Sequence, residues 1–289
     1  CHKNSLIALT NEKISSEHWF NFFKNRVLES INKKKFLPVC KFCDGELIFM
    51  NNGLEKIDYR FKLKTKIKIL LNNILIRLNL IKFKPFTVNA YTSGQYTYNE
   101  ILSLNVKYKK GMKIVLENGI LANSTVVSKN TPFTERFFKL YADFMTDNKI
   151  EITSLNHVPY LFVYALFSGK SKLEIFDSKN VLIINSFNSD QKKIITNKLK
   201  SFGAKEIFYS NISSDRSAFD KLDIKNDQNF DLILIGAGVG KLLHFEYLSR
   251  FKVPCIDIGY IFQTWLEPNS SSQRAFCSSD DNYNETTYN

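Results

Sequence analysis

Apolar positions first recur at helical spacing over residues 11–32, where Trp19, Phe22, Phe23, Val27, Leu28 and Ile31 share a side. Ser15 or Ser16 followed by Glu17 supplies a helix start. The period then changes. Phe36 to Phe42 is a continuous apolar run, which predicts a buried strand, and it stops at Asp44-Gly45-Glu46, which reads as a tight turn. The second half of residues 60–84 returns to helical spacing. Pro85 to Thr97 is polar and aromatic, either a loop suited to a hydroxyl-rich ligand or an ordinary connection. Ile114 to Gly119 reads as a strand and turn, and Thr134 to Phe144 as a helix.

The last 130 residues or so alternate clearly. Helix over Val158–Phe167, strand over Val181–Ile184, helix over Asp190–Phe202 closed by Gly203, strand over Glu206–Tyr209, strand over Asp231–Ile235, helix over Lys241–Arg250 and strand over Val253–Ile258 follow in turn. This order predicts an α/β fold with a largely parallel sheet flanked by helices. The Ser-, Asn- and Thr-rich stretch from Asn269 carries no apolar period and is expected to be disordered, so residues 1–268 form the expected domain and 269–289 a tail.

Composition narrows the setting. A chain of 289 residues, 44% hydrophobic, can build one large domain or two small ones around a substantial core. Forty Lys and Arg against 28 Asp and Glu give a net charge of +12, which favours anionic partners. Much of the excess lies in residues 60–84, where Arg60, Lys62, Lys64, Lys66, Lys68, Arg77, Lys82 and Lys84 interleave with Ile and Leu and meet no acid. Such a segment fits a helix lying on an anionic membrane surface, or an amphipathic helix packed on the core with solvated lysines. No motif for specific nucleic-acid binding accompanies it. No run of 18 uncharged apolar residues occurs, so no transmembrane helix is expected, and the apolar stretch near the N-terminus is too short for a signal peptide. Five cysteines form no regular framework; Cys40 and Cys43 have C-x-x-C spacing without a second pair, which points to buried thiols in a reducing, cytoplasmic setting.

Two stretches carry candidate chemistry. Asp44 and Glu46 lie two apart, and in extended or turn-like backbone such side chains share a side. Two carboxylates at the mouth of a sheet suit Mg²⁺ or Mn²⁺ holding a diphosphate, or they are a solvated surface turn. After the predicted strand Asp231–Ile235 comes Gly236-Ala237-Gly238-Val239-Gly240 and then a helix, a context in which backbone N–H groups can approach a phosphate. Asp257, about 20 residues on, stands where a dinucleotide fold places a ribose-binding acid. Read alone, this pair suggests an NAD-dependent oxidoreductase; tight strand–helix packing explains the glycines equally well. Asn185 and Ser186, closing the Val181–Ile184 strand, fit another rim of the same pocket or a plain strand end.

Three segments taken together resemble the GT-D-type glycosyltransferases. Cys40-Lys41-Phe42-Cys43-Asp44-Gly45-Glu46-Leu47 is similar to that family's R-F-G-D-G-E strand and turn, residues 234–243 to its Gly-rich turn, and Pro254 to Tyr260 to its closing D-I-G-H strand end. The order and spacing extend over roughly residues 15–268. The resemblance implies a single Rossmann-like domain and transfer of a sugar from a nucleotide-sugar donor, UDP-linked by expectation, to a glycan or lipid-linked glycan, in polysaccharide biosynthesis. It implies that Asp44 and Glu46 are catalytic and bind Mn²⁺ or Mg²⁺, and that Lys41, Gly236, Ala237, Gly238, Asp257 and Gly259 bind the donor. Lys41 stands where the family favours Arg, Cys43 where it has Gly and Tyr260 where it has His. A non-enzymatic basic module that binds membrane or nucleic acid is the remaining alternative. The expected location is cytoplasmic, with peripheral membrane contact through 60–84.

Overall fold

The computed structural model describes residues 16–42, 44–55, 57, 62–82, 95–123, 143–147, 149–151, 153–225 and 227–267. The expected ligand-facing loop from Pro85 to Gly94, most of the helix expected over 134–144, the Cys43 thiol, the Asp44 side chain and the expected tail lie outside them.

Helix α1 (Ser16–Asn32) leads into strand β1 (Leu37–Phe42), all six of whose residues are buried. The chain continues through α2 (Asp44–Met50), α3 (Leu63–Arg77), α4 (Tyr98–Asn118), β2 (Ile120–Asn123), β3 (His157–Pro159), α5 (Tyr160–Ser168) and α6 (Ser171–Phe176). It then runs through β4 (Asn180–Asn185), α7 (Ser189–Ser201), β5 (Glu206–Asn211), β6 (Leu232–Ile235), α8 (Lys241–Leu248), β7 (Pro254–Asp257) and α9 (Tyr260–Leu266). The seven strands form one sheet in the order β3-β2-β1-β7-β6-β4-β5, and every pair is parallel. Parallel strands need helical crossovers, which cover both faces; that is why β4, β6 and β7 read as unbroken apolar runs.

One face is packed by α1, α5, α6, α7 and α9 through residues such as Phe23, Phe162, Phe176, Leu199 and Trp265. The other is packed by α2, α4 and α8 through Phe49, Tyr108, Met112, Leu242 and Phe245. Helix α4 begins in a capping box: the Thr97 hydroxyl accepts from the Glu100 amide at 3.3 Å, and the Glu100 carboxylate accepts from the Thr97 amide at 2.8 Å. Its Ile101, Leu104, Tyr108, Met112 and Val115 recur every three or four residues and are buried.

Two sequence expectations are corrected here. Ile114 to Asn118 is the last turn of α4 rather than a strand, because Val115 continues the buried helical stripe; the strand starts at Ile120. Asp44-Gly45-Glu46 is the first turn of α2 rather than a tight turn. In a helix, residues two apart point about 200° apart, so the shared side expected of Asp44 and Glu46 does not follow from this backbone.

Candidate functional site

The ends of β1 and β7 adjoin, with Val39 paired to Ile256. Beyond β1 the chain turns to α2 on one face of the sheet; beyond β7 it turns to α9 on the other. Where neighbouring connections part in this way, a crevice opens at the carboxyl edge of a parallel sheet, the usual ligand position of such folds. Among the described residues, four charged side chains converge there: Lys41 from the end of β1, Glu46 from α2, Asp257 from the end of β7 and Lys241 from the start of α8.

All four are buried, each at most 8% exposed. The Lys241 ammonium donates to Glu46 Oε1 at 2.5 Å and lies 2.9 Å from Asp257 Oδ2. The second contact is ionic without hydrogen-bond geometry, for Asp257 Oδ2 accepts no hydrogen bond. Lys41 Nζ is 3.8 Å from Asp257 Oδ1, donates to the Tyr164 hydroxyl at 3.4 Å and sits 4.8 Å from the centre of that ring. Two positive and two negative groups thus alternate along Lys41, Asp257, Lys241 and Glu46. Burial works against the charge on Lys241, but Asp257 and Glu46 outweigh it and hold its pKa well above that of an ordinary lysine. Burial, followed by the charge of Asp257, pushes the Cys255 thiol far up, so it stays protonated and is neither nucleophile nor soft metal ligand.

The glycines position these groups. Gly259 has a φ of +42°, and a Cβ there would collide with the Lys41 ammonium. A Cβ at Gly236 would strike the Asn185 amide, and one at Gly240 would strike Ser217 and the backbone of Ala218. Ser217 Oγ also donates to the Ala237 carbonyl at 2.7 Å, and His244 Nε2 lies 3.0 Å from the Ser217 carbonyl. At these two positions the missing side chains admit the protein's own chain, and Gly238, with φ +51°, completes the turn that delivers Lys241.

The structure therefore brings Lys41, Glu46, Asp257 and Gly259 together, with the Gly236–Gly238 turn behind them; Asp44 contributes the backbone that opens α2. Sequence reasoning missed Lys241 and Tyr164. It also missed Tyr108, whose buried hydroxyl makes no hydrogen bond and whose pKa is raised well above normal by burial and then by Glu46. The signal for Lys241 was its place directly after the glycine turn at the carboxyl end of a strand, the geometry that delivers a lysine to phosphate oxygens.

Among the described residues no three His, Cys, Asp or Glu side chains gather to hold a metal ion. The two carboxylates that do approach each other, Glu46 and Asp257, are bridged by an ammonium. A divalent ion between them would have to displace Lys241, so these residues do not fit one as they stand. Among the described residues no helix is long and apolar enough to cross a membrane.

No protein-family model matches the chain, and no curated protein matches its sequence. One solved structure, described as the highly conserved domain of unknown function 1792 with a distinct glycosyltransferase fold, aligns over 89% of this chain and 87% of its own, at 15% identity and a TM-score of 0.47. At that level the likeness carries no argument about residues or chemistry.

Proposed function

We propose that the protein is a glycosyltransferase whose nucleotide-sugar donor lies across the β1–β7 crevice. The observation that carries this reading is the pair of buried ammonium groups, Lys41 and Lys241, held by Asp257 at the carboxyl edge of a parallel sheet. Ammonium groups poised there suit the oxygens of a diphosphate. The motif resemblance through Lys41, Asp44, Glu46, the Gly236–Gly240 turn, Asp257 and Gly259 agrees in placing a nucleotide diphosphate at the same edge.

In the transfer, an acceptor hydroxyl oxygen attacks the anomeric carbon, the bond from that carbon to the diphosphate oxygen breaks, and the hydroxyl proton passes to a base. Lys241 and Lys41 take up the negative charge that develops on the departing diphosphate. Asp257 holds both ammonium groups, and its Oδ2 has capacity to accept from a ribose or sugar hydroxyl. Glu46 fixes Lys241, Gly259 leaves room for Lys41, and the Gly236–Gly238 turn borders the nucleotide, with the Gly236 N–H itself donating to the Ile184 carbonyl at 2.9 Å. Asp44, opening the same helix as Glu46, is the remaining acid of the motif. The sequence expectation of Mg²⁺ or Mn²⁺ at Asp44 and Glu46 competes with Lys241 for Glu46, so no step is routed through a metal.

Calorimetric titration with UDP, with and without Mn²⁺, tests this on the parent, Lys241→Met and Lys41→Met. The expected result is binding that needs no added metal and weakens at least about tenfold in Lys241→Met, as loss of a charge-assisted contact implies. Failure of the parent to bind UDP or any other nucleoside diphosphate would sink the reading, and binding of NAD instead would favour an oxidoreductase. Binding that requires Mn²⁺ and ignores Lys241→Met would return the charge-neutralising role to a metal.

A further inference from the structure

The helix α3 is turned the wrong way for a core helix. Only Ile69 and Ile76 of its residues are buried, with Lys66 and Asn73 half-buried beside them on the same inner stripe. Leu75 is half-buried, and six other large apolar residues point outward: Leu63 is 73% exposed, Leu71 54% and Leu78 62%, with Ile67, Leu70 and Ile74 between them. At about 100° per residue these six fall within one stripe roughly 100° wide. Lys64 and Lys68 border it on one side and Lys66 and Arg77 on the other. From Lys62 to Lys82 the segment carries six basic side chains and no acid.

We propose that α3 seats on the surface of an anionic lipid bilayer, its axis in the membrane plane and its outward stripe among the acyl chains. The assignment of occupant rests on charge complementarity and on the arrangement of the two kinds of residue. An apolar stripe flanked by lysines and arginine lets the stems lie along the hydrocarbon boundary while the charges reach lipid phosphates. A second copy of this chain on the same face would set two such basic borders against each other. A nucleic acid would answer the charges but leave the apolar stripe in water. The helix is tied down on its inner side: Asn73 Oδ1 accepts from the Glu55 amide at 3.1 Å and Asn73 Nδ2 donates to the Glu55 carbonyl at 2.8 Å. The bilayer contact stands whether or not the transferase reading does.

The test is flotation of the full chain with vesicles of phosphatidylcholine and phosphatidylglycerol, against phosphatidylcholine alone. Two double variants accompany it, Lys64→Gln/Lys68→Gln and Leu70→Gln/Ile74→Gln. All four positions are exposed, so both variants are expected to keep the parent's thermal unfolding midpoint, with Ile69 and Ile76 still seating the helix. The parent is expected to float with the anionic vesicles only. Removal of the two lysines weakens the partition about 25-fold, at roughly fivefold per basic group. Removal of the two apolar side chains abolishes flotation. A parent that stays in the pellet, or folded variants that float as the parent does, would overturn the proposal. So would sedimentation velocity showing a dimer that Leu70→Gln/Ile74→Gln dissociates, since a second copy would then be the occupant.

Discussion

At the crevice between β1 and β7 the chain buries four charges; along α3 it leaves six large apolar side chains in water. Both choices run against the ordinary sorting of residues, and each is held in place differently. In the crevice, Lys41, Glu46, Lys241 and Asp257 neutralise one another, so the burial is tolerable only as a set. Among the described residues nothing compensates the exposed stripe of α3; two buried isoleucines and one asparagine tie the helix down. A buried charge cluster must be complete within the protein, whereas an exposed apolar stripe is completed from outside. Mutations should therefore separate the two regions by what they damage.

The largest effect is expected at Lys241. Lys241→Met removes the ammonium that Glu46 and Asp257 share and leaves the buried cluster with excess negative charge, a loss of about 3–5 kcal/mol of stability measurable by urea unfolding. Lys241→Met/Glu46→Gln, which leaves Lys41 beside Asp257, should recover most of that loss while nucleotide binding stays weak. A double variant that regains full binding would contradict the assigned role of the ammonium. Next comes Gly111, inside α4, where a Cβ would collide with the Leu242 carbonyl. Gly111→Ala should cost about 1–3 kcal/mol despite alanine's better helix propensity, because α8, which carries Lys241, must move off α4. A neutral or stabilising result would mean that the two helices part freely.

The third prediction concerns acid. His157 in β3 is buried, and burial lowers its pKa from 6.5 to about 3. Below about pH 6.5 the unfolded chain binds a proton that the folded chain refuses, down to about pH 3. This contribution to stability is full above pH 6.5 and falls by up to about 1.4 kcal/mol per pH unit across that window. His157→Gln should therefore lose stability less steeply than the parent between pH 6.5 and 5, judged by urea midpoints; identical slopes would place the acid sensitivity elsewhere. The smallest effect belongs to the outer stripe of α3: Leu70→Ala should cost under about 0.5 kcal/mol, against about 2–4 kcal/mol for Ile69→Ala at the buried neighbouring position. Equal losses would show that the outer stripe is covered by the protein itself.

The parallel sheet was legible where strands are long and sheathed on both faces. The runs at Val181–Ile184, Asp231–Ile235 and Val253–Ile258 sit within a residue or two of β4, β6 and β7. Strands β2 and β3, of four and three residues, are too short to carry a period, and β3 was absorbed into the helix expected over Val158–Phe167. Ile114-Val115-Leu116 looked like a strand because β-branched residues favour one, yet α4 had its capping box and buried stripe already in place. At the site, Lys41 and Asp257 could be found because they end apolar runs. Lys241 could not be recognised as their partner: its contact with Glu46 spans 195 residues of sequence, and only the sheet order brings them together.

The clasp between Asn73 and Glu55 makes one amide into a gauge. The Glu55 N–H is held by the side chain of a helix whose outer face awaits a partner, so its protection against hydrogen exchange reads how firmly that helix is seated. In water the gauge should run fast, since Ile69 and Ile76 are the buried residues that seat α3. On anionic vesicles, where lifting the helix would also mean withdrawing its stripe from lipid, the same amide should slow, and Asn73→Ala should erase the difference.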